Sequence, residues 1–201
     1  MHCAKKFWDE KFEGDILYGE EPCYWLKDQE DFLKTFKNKN CLVVADGQGR
    51  NGLYLASLGI NVSAFDFSPV AVKQSNKIAE KKDLKNYSSV EGDMLNFEYG
   101  TEKIDLIVSI FTQAITDHVS YHSNIPNSLK KDGYFLSLGY TPKQLEYKTG
   151  GPPVKENLYT LDGMKDELKG LEIIALKEFD IQMKEGKHDG MSALISFIGK
   201  K

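Results

Sequence analysis

Between residues 45 and 52 the chain reads Ala45-Asp46-Gly47-Gln48-Gly49-Arg50-Asn51-Gly52. In such a run glycines let a ligand approach bare backbone, and the first amides of a following helix point at it. Gly47, Gly49 and Gly52 satisfy the dinucleotide-binding spacing, and Asp66 lies about 20 residues on, where an acid bonds ribose hydroxyls. A tight turn that needs glycine only for sterics would give the same letters. Asp66 closes Ala64-Phe65-Asp66-Phe67-Ser68, and a carboxylate there can accept two hydrogen bonds from vicinal hydroxyls of either nucleotide. Phe67 reads equally as a ring laid against a purine and as a core residue. Gly92-Asp93-Met94 supplies a third acid. It can accept the amino group of adenine, a contact with no counterpart in the bare fingerprint, although taken alone it reads as a helix cap or loop acid. The series of three favours an adenosyl methyl donor over a nicotinamide dinucleotide.

These residues need elements that carry them to one edge. Cys41-Leu42-Val43-Val44-Ala45 is a continuous apolar run, the pattern of a strand covered on both faces. Further strands are predicted over Ile60 to Phe65, Asn86 to Val90, Ile104 to Ile110 and Tyr134 to Tyr140, the last after a Lys131-Asp132-Gly133 turn. Helices alternate with them: one through Leu53, Leu55, Ala56 and Leu58, one over Pro69 to Lys82 with proline in its first turn, and one over His118 to Lys130 interrupted near Pro126. Ahead of the first strand, Glu20 to Lys37 places Trp25, Leu26, Phe32, Leu33 and Phe36 at helical spacing. After Tyr140 come a polar loop, a short helix over Leu161 to Leu168, and two strand-like runs, Ile173 to Met183 and Ser192 to Ile198. Lys184 to Met191 is too short for a helical crossover, so these two pair antiparallel. The expectation is an α/β, doubly wound, mainly parallel sheet with an antiparallel edge, in one domain over 1–201: an N-terminal helical lid over 1–38 and a Rossmann-like core over 39–201.

The same residues resemble the class I S-adenosylmethionine-dependent methyltransferases, in particular their small tellurite-resistance-like branch. The resemblance covers nearly the whole chain. It rests on Trp8-Asp9-Glu10, Tyr18-Gly19-x-x-Pro22, Gly47-x-Gly49-Arg50-Asn51, Asp66-x-Ser68-Pro69, Ser109-Ile110-Phe111, Tyr140-Thr141-Pro142 and Thr149-Gly150-Gly151-Pro152. It implies a seven-stranded sheet of order 3-2-1-4-5-7-6 with the last strand antiparallel, and S-adenosylmethionine as cofactor. In the family the glycine loop faces the methionine part, the acid closing strand two holds the ribose, and the acid after strand three reads adenine. By resemblance these roles fall to Gly47 and Gly49, Asp66 and Asp93, with Phe67, Met94 and Ile110 on the cofactor side. Trp8 and Tyr18 are expected to help roof the site, and Tyr18, Phe111, Gln113 and Tyr147 to face the acceptor.

The chain departs from its relatives at three places. Ala45 and Val43 stand where many relatives have glycine and an acid, so Asp46 is expected to stand in on the cofactor side. Gln113 replaces a histidine after strand four, and Leu138 replaces an acid on strand five. Gln113 can donate and accept hydrogen bonds but cannot be a general base, so orientation is its expected job. With Tyr147 and His188 it completes the candidates for a catalytic group; His188 reads equally as a turn residue of the last hairpin.

The bulk composition bounds the rest. At 201 residues, 28% charged and 41% hydrophobic, the chain folds into an ordinary core. Acidic residues outnumber basic ones 30 to 26, a formal charge of -4, which argues against nucleic acid as partner. Cys3, Cys23 and Cys41 form no Cys-x-x-Cys arrangement, so neither a disulfide framework nor a zinc site is expected. The start MHCAKKFWDEKFEGD has no apolar signal core and no run approaches a membrane span, so a cytoplasmic protein without membrane partner is expected. His118 and His122, four apart on a helix, could share a metal, but no third ligand is evident and a surface pair is the expectation; no metal is predicted. The reading is a methyltransferase acting on a small molecule, a thiol or chalcogen oxyanion by kinship alone, with a monomer compatible with the sequence. Its rivals are an NAD-dependent oxidoreductase and a non-catalytic S-adenosylmethionine sensor.

Overall fold

The computed structural model describes residues 2–113 and 117–201, with side chains from residue 5 onward. Seven strands form one sheet in the order β3-β2-β1-β4-β5-β7-β6, with helices around it in a Rossmann-like α/β fold. The chain divides into two compact units, one ending at Phe97 and the other starting at Glu98.

The first unit holds α1 (His2–Phe12), α2 (Tyr24–Lys27), α3 (Glu30–Lys34), β1 (Asn40–Val44), α4 (Arg50–Ser57), β2 (Asn61–Asp66), α5 (Pro69–Lys81) and β3 (Tyr87–Glu91). β1 pairs in parallel with β2 from Asn40↔Asn61 to Val44↔Phe65, and β2 with β3 from Val62↔Tyr87 to Asp66↔Glu91. The ladder continues one step past the strands: Asp46 N–H donates to the Phe65 carbonyl at 3.1 Å and Gly92 N–H to the Asp66 carbonyl at 3.0 Å. Parallel strands in this register end at one level, so the loops after β1, β2 and β3 leave the same edge of the sheet. β3 is an edge strand. Asn76 of α5 covers it, its amide donating to the Ser89 carbonyl at 2.8 Å and accepting Ser89 N–H at 2.9 Å. The helix expected over Glu20 to Lys37 is instead two short ones, because the chain breaks at Asp28-Gln29, where the Gln29 side chain turns back to the Trp25 carbonyl at 3.4 Å.

The second unit holds β4 (Ile104–Ile110), α6 (His118–Ser128), β5 (Leu129–Tyr140), α7 (Gln144–Tyr147), a 3₁₀ turn at Lys155–Asn157, α8 (Leu161–Glu167), β6 (Glu172–Glu185) and β7 (His188–Lys200). β4 and β5 are parallel, with a register shift between Ile104 and Leu106; β5 runs through the Lys131-Asp132-Gly133 turn as an irregularity, with Asp132 at φ 64°. β7 is antiparallel to both β5 and β6, so the last strand of the chain is the antiparallel one, as expected, and it sits between β5 and the edge strand β6. β6 and β7 are longer than the apolar runs predict. Pairing continues to Glu185↔His188 across a two-residue Gly186-Lys187 turn, with Gly186 at φ 57°. Cross-strand hydrogen bonds hold that polar tip, which carries few buried side chains, so hydrophobicity alone misses it. No helix among the described residues is long and apolar enough to cross a membrane. Cys23 and Cys41 are buried thiols; the Cys3 side chain lies outside the described residues.

Candidate functional site

The glycine loop follows β1 with three successive departures into the left-handed region, Ala45 at φ 48°, Gly47 at 57° and Gly49 at 91°, before α4 begins. Asp46 is turned into the loop. Its carboxylate accepts Gly52 N–H at 3.1 Å and the Tyr87 hydroxyl at 2.9 Å, locking the start of α4 to β3. Gly52 has no freedom to be anything else, since a Cβ there would stand 2.3 Å from Asp46 Oδ2. Burial pushes the Asp46 carboxyl up to about 7, against the pull of its two donors and with the help of nearby Asp66. Each oxygen of the Asp46 carboxylate, expected on the cofactor side, thus accepts one hydrogen bond from the protein.

Asp66, at the tip of β2, is 4% exposed. Gly47 N–H donates to its Oδ2 and Ser68 N–H to its Oδ1, each at 2.9 Å, so the acid bridges the ends of β1 and β2. Burial raises it to about 6, offset in part by these N–H bonds and reinforced by the charge of Asp9. Ser68 caps α5 through Ala71 N–H at 3.3 Å and donates its hydroxyl to Asp9 of α1. Asp93 is half-buried beyond β3, accepting Leu95 N–H at 3.1 Å and the Asn96 amide at 3.2 Å as the acid of a tight turn. Met94 beside it is buried, and Phe67 is half-buried.

The N-terminal segment is stitched to this loop by residues that the glycine motif alone does not single out. The Phe12 ring lies against Gly47, 3.4 Å from where a Cβ would be. Gln48 accepts Leu17 N–H at 2.8 Å and donates to Gln74 at 2.7 Å, and Gln74 donates to the Phe12 carbonyl at 2.8 Å. Trp8 stacks on Phe12 at 5.4 Å, and the Arg50 guanidinium lies 5.8 Å from the centre of the Tyr18 ring. Burial raises the Tyr18 hydroxyl above its ordinary value, with Arg50 opposing. The one sequence signal for this stitching is a long amide, Gln48, between two loop glycines.

In the second unit, Ile110 is buried at the end of β4 and Phe111 takes φ 57°, a strained setting for a bulky residue. Its ring stacks on Tyr140 at 4.9 Å and meets His188 at 4.5 Å, while the Tyr140 hydroxyl and His188 Nδ1 are 2.8 Å apart. His188 opens β7 and belongs to this aromatic cluster; Tyr140 joins the candidates as a residue that strand pattern alone cannot separate from core. Gln113 is 1% exposed, and its amide pairs with the Tyr140 backbone, donating to the carbonyl at 2.8 Å and accepting the N–H. Its side-chain polar atoms hold a strand end, in place of the acceptor-facing role read from the sequence. Tyr147 donates to Asp180 of β6 at 2.9 Å and carries Lys143 over its ring, away from the aromatic cluster in its bonding. The histidine pair is a correction: His122 is completely buried, His118 is half-buried, and Glu167 of α8 meets both.

Residues 35–174 match the family model described as a methyltransferase domain. Human EEF1A lysine methyltransferase 2 is 27% identical over 144 residues, 66% of this chain and 61% of that protein, so the chain spans about three fifths of that relative's length. Among solved structures, the one reported for the conversion of a disulfide bond into a thioacetal group during echinomycin biosynthesis superposes with a TM-score of 0.75 at 16% identity, covering 98% of this chain and 90% of that one. A SAM-dependent methyltransferase from Aquifex aeolicus gives 0.66 at 18% identity, covering 98% and 97%. The nicotinamide reading falls away with the family match, and the chain belongs to the methyltransferase domain family.

Proposed function

We propose that this methyltransferase acts on a small, soft acceptor, a thiol or a chalcogen oxyanion, and holds its cofactor on the three strand tips of the first unit. Asp66 carries the reading. Each of its oxygens accepts one backbone N–H and keeps lone pairs for vicinal ribose hydroxyls, at a position flush with the glycine loop. Gly47 and Gly49 supply close-approach backbone to the methionine part, and Asp93, with Phe67 and Met94, serves the adenine side. The bound cofactor supplies an activated methyl on a sulfonium, so the protein's share is to exclude water and align the acceptor. Residues 1–38, stitched down through Asp9, Phe12 and Gln48, are the cover that excludes water, with Trp8 and Tyr18 in its roof. Within the second unit, Phe111, Tyr140 and His188 form an aromatic cluster of a chemistry that suits a polarisable acceptor, with His188 able to take a proton from a thiol. The enzyme is read as cytoplasmic, free of nucleic-acid and membrane partners.

A second reading, protein lysine methylation, is favoured by the name of the human relative. Calorimetry with S-adenosylmethionine and its demethylated product, on the native chain and on Asp66→Ala, tests the cofactor half: most of the affinity is expected to go. Turnover assays with thiols, selenite and tellurite against lysine peptides test the acceptor half. Methyl transfer confined to lysine would overturn the small-acceptor reading.

A further inference from the structure

His118 and His122 share a face of α6, and Glu167 from the end of α8 reaches them. Glu167 Oε2 lies 2.9 Å from His118 Nδ1 and 2.5 Å from His122 Nδ1, and the donor atoms of all three lie within 4.8 Å of one another. The other nitrogen of His118 faces the Glu156 carbonyl at 3.1 Å. A carbonyl only accepts, so that nitrogen carries the proton, and neutral His118 turns its Nδ1 lone pair toward an oxygen that is also a lone-pair donor. Two donors converging in this way are reconciled by a cation between them, either a proton or a metal. A carbonyl behind the ring is also the outer partner that orients metal-bound histidines. The cluster is dry. His122 is completely buried, and Tyr159 sets its ring 5.4 Å from His118 and 5.3 Å from His122.

We propose that His118, His122 and Glu167 bind one divalent first-row transition ion, zinc in the first instance, and thereby tie α6 to α8. Two imidazoles and a carboxylate are a zinc donor set, and oxygen-only cations such as magnesium and calcium are disfavoured by the nitrogens. Around a tetrahedral ion with bonds of about 2.0–2.1 Å the donors stand about 3.3 Å apart, so Glu167 withdraws by less than about 1 Å and the two histidine nitrogens, within 4.8 Å of each other, close by up to about 1.5 Å to admit it. Three protein ligands leave a fourth position for water or another small donor.

The full-length protein, stripped with a chelator, is titrated with Zn²⁺ by calorimetry, and again after His118→Ala and after Glu167→Gln. One equivalent per chain is expected. Each variant should lose affinity by more than the roughly 10–100-fold that follows loss of an outer-shell partner, with its circular dichroism and S-adenosylmethionine affinity unchanged. Loading with Co²⁺ supplies a readout that needs no variant: visible bands of nitrogen and oxygen coordination, with no thiolate charge transfer. Absence of stoichiometric uptake, uptake that survives in either variant, or a thiolate band would each overturn the site and leave the trio an ion pair. None of these readouts depends on the methyl acceptor.

Discussion

Asp46 and Asp66 sit close enough to influence each other, yet they do different work because their partners differ. Asp46 bonds Gly52 N–H and Tyr87 and closes the loop on itself; Asp66 bonds the two residues that open the loops after β1 and β2. Gly52→Ala should therefore cost about 1–3 kcal/mol as an overpacked site, because the new methyl would press on Asp46 and the Tyr87 ring; urea unfolding measures it. Asp66 titrates at about 6, and once protonated it loses acceptor capacity for ribose hydroxyls. Cofactor affinity should fall as pH drops below about 6, and titrations of Asp66→Asn across the same range should show the fall abolished along with most of the affinity.

At the scale of elements, α5 is the part on which the first unit turns. Its cap Ser68 satisfies Ala71 N–H and also holds Asp9 of α1, while its Asn76 seals the edge of β3. Ser68→Ala removes both bonds and should destabilise the protein by about 1–2 kcal/mol, the upper part of the range for a lost cap. Faster hydrogen exchange in α1 is expected with it, and unchanged exchange there would show that the tie to Asp9 does not anchor the helix. The β6–β7 hairpin illustrates a different element-scale rule, in which backbone pairing carries an extended strand well past its last buried side chain.

For the whole molecule the buried acids set the pH profile. Asp46 and Asp66 stand raised above 3.8, to about 7 and about 6, so the folded state holds more protons than the unfolded one between those values. Their contribution is fully present below about 3.8 and is lost as pH rises from there through the folded values. Glu167 runs the other way: burial would raise it, but the two histidines draw it down from 4.5 to about 2, so its contribution is present above 4.5 and is lost as pH falls toward 2. Thermal unfolding across pH should show the highest Tm near pH 4, where the Glu167 window closes and the Asp46 and Asp66 window opens. Asp46→Asn should flatten the decline on the alkaline side; a Tm that climbs steadily to pH 8 would contradict the assignment.

The run Cys41 to Val44, the glycines after it, and the acids Asp66 and Asp93 are local features, and local sterics and periodicity were enough to read the strands and turns that carry them. The register by which Asp46 reaches Tyr87, Gln113 closes on the Tyr140 backbone and Glu167 meets two histidines about 45 or more residues away is set by packing across the chain. A one-dimensional pattern holds no record of which polar side chain a distant backbone group will meet once water is excluded, because that choice is made by burial. That is why the strands and their loop edge were legible and the partners of Asp46, Gln113 and His122 were not.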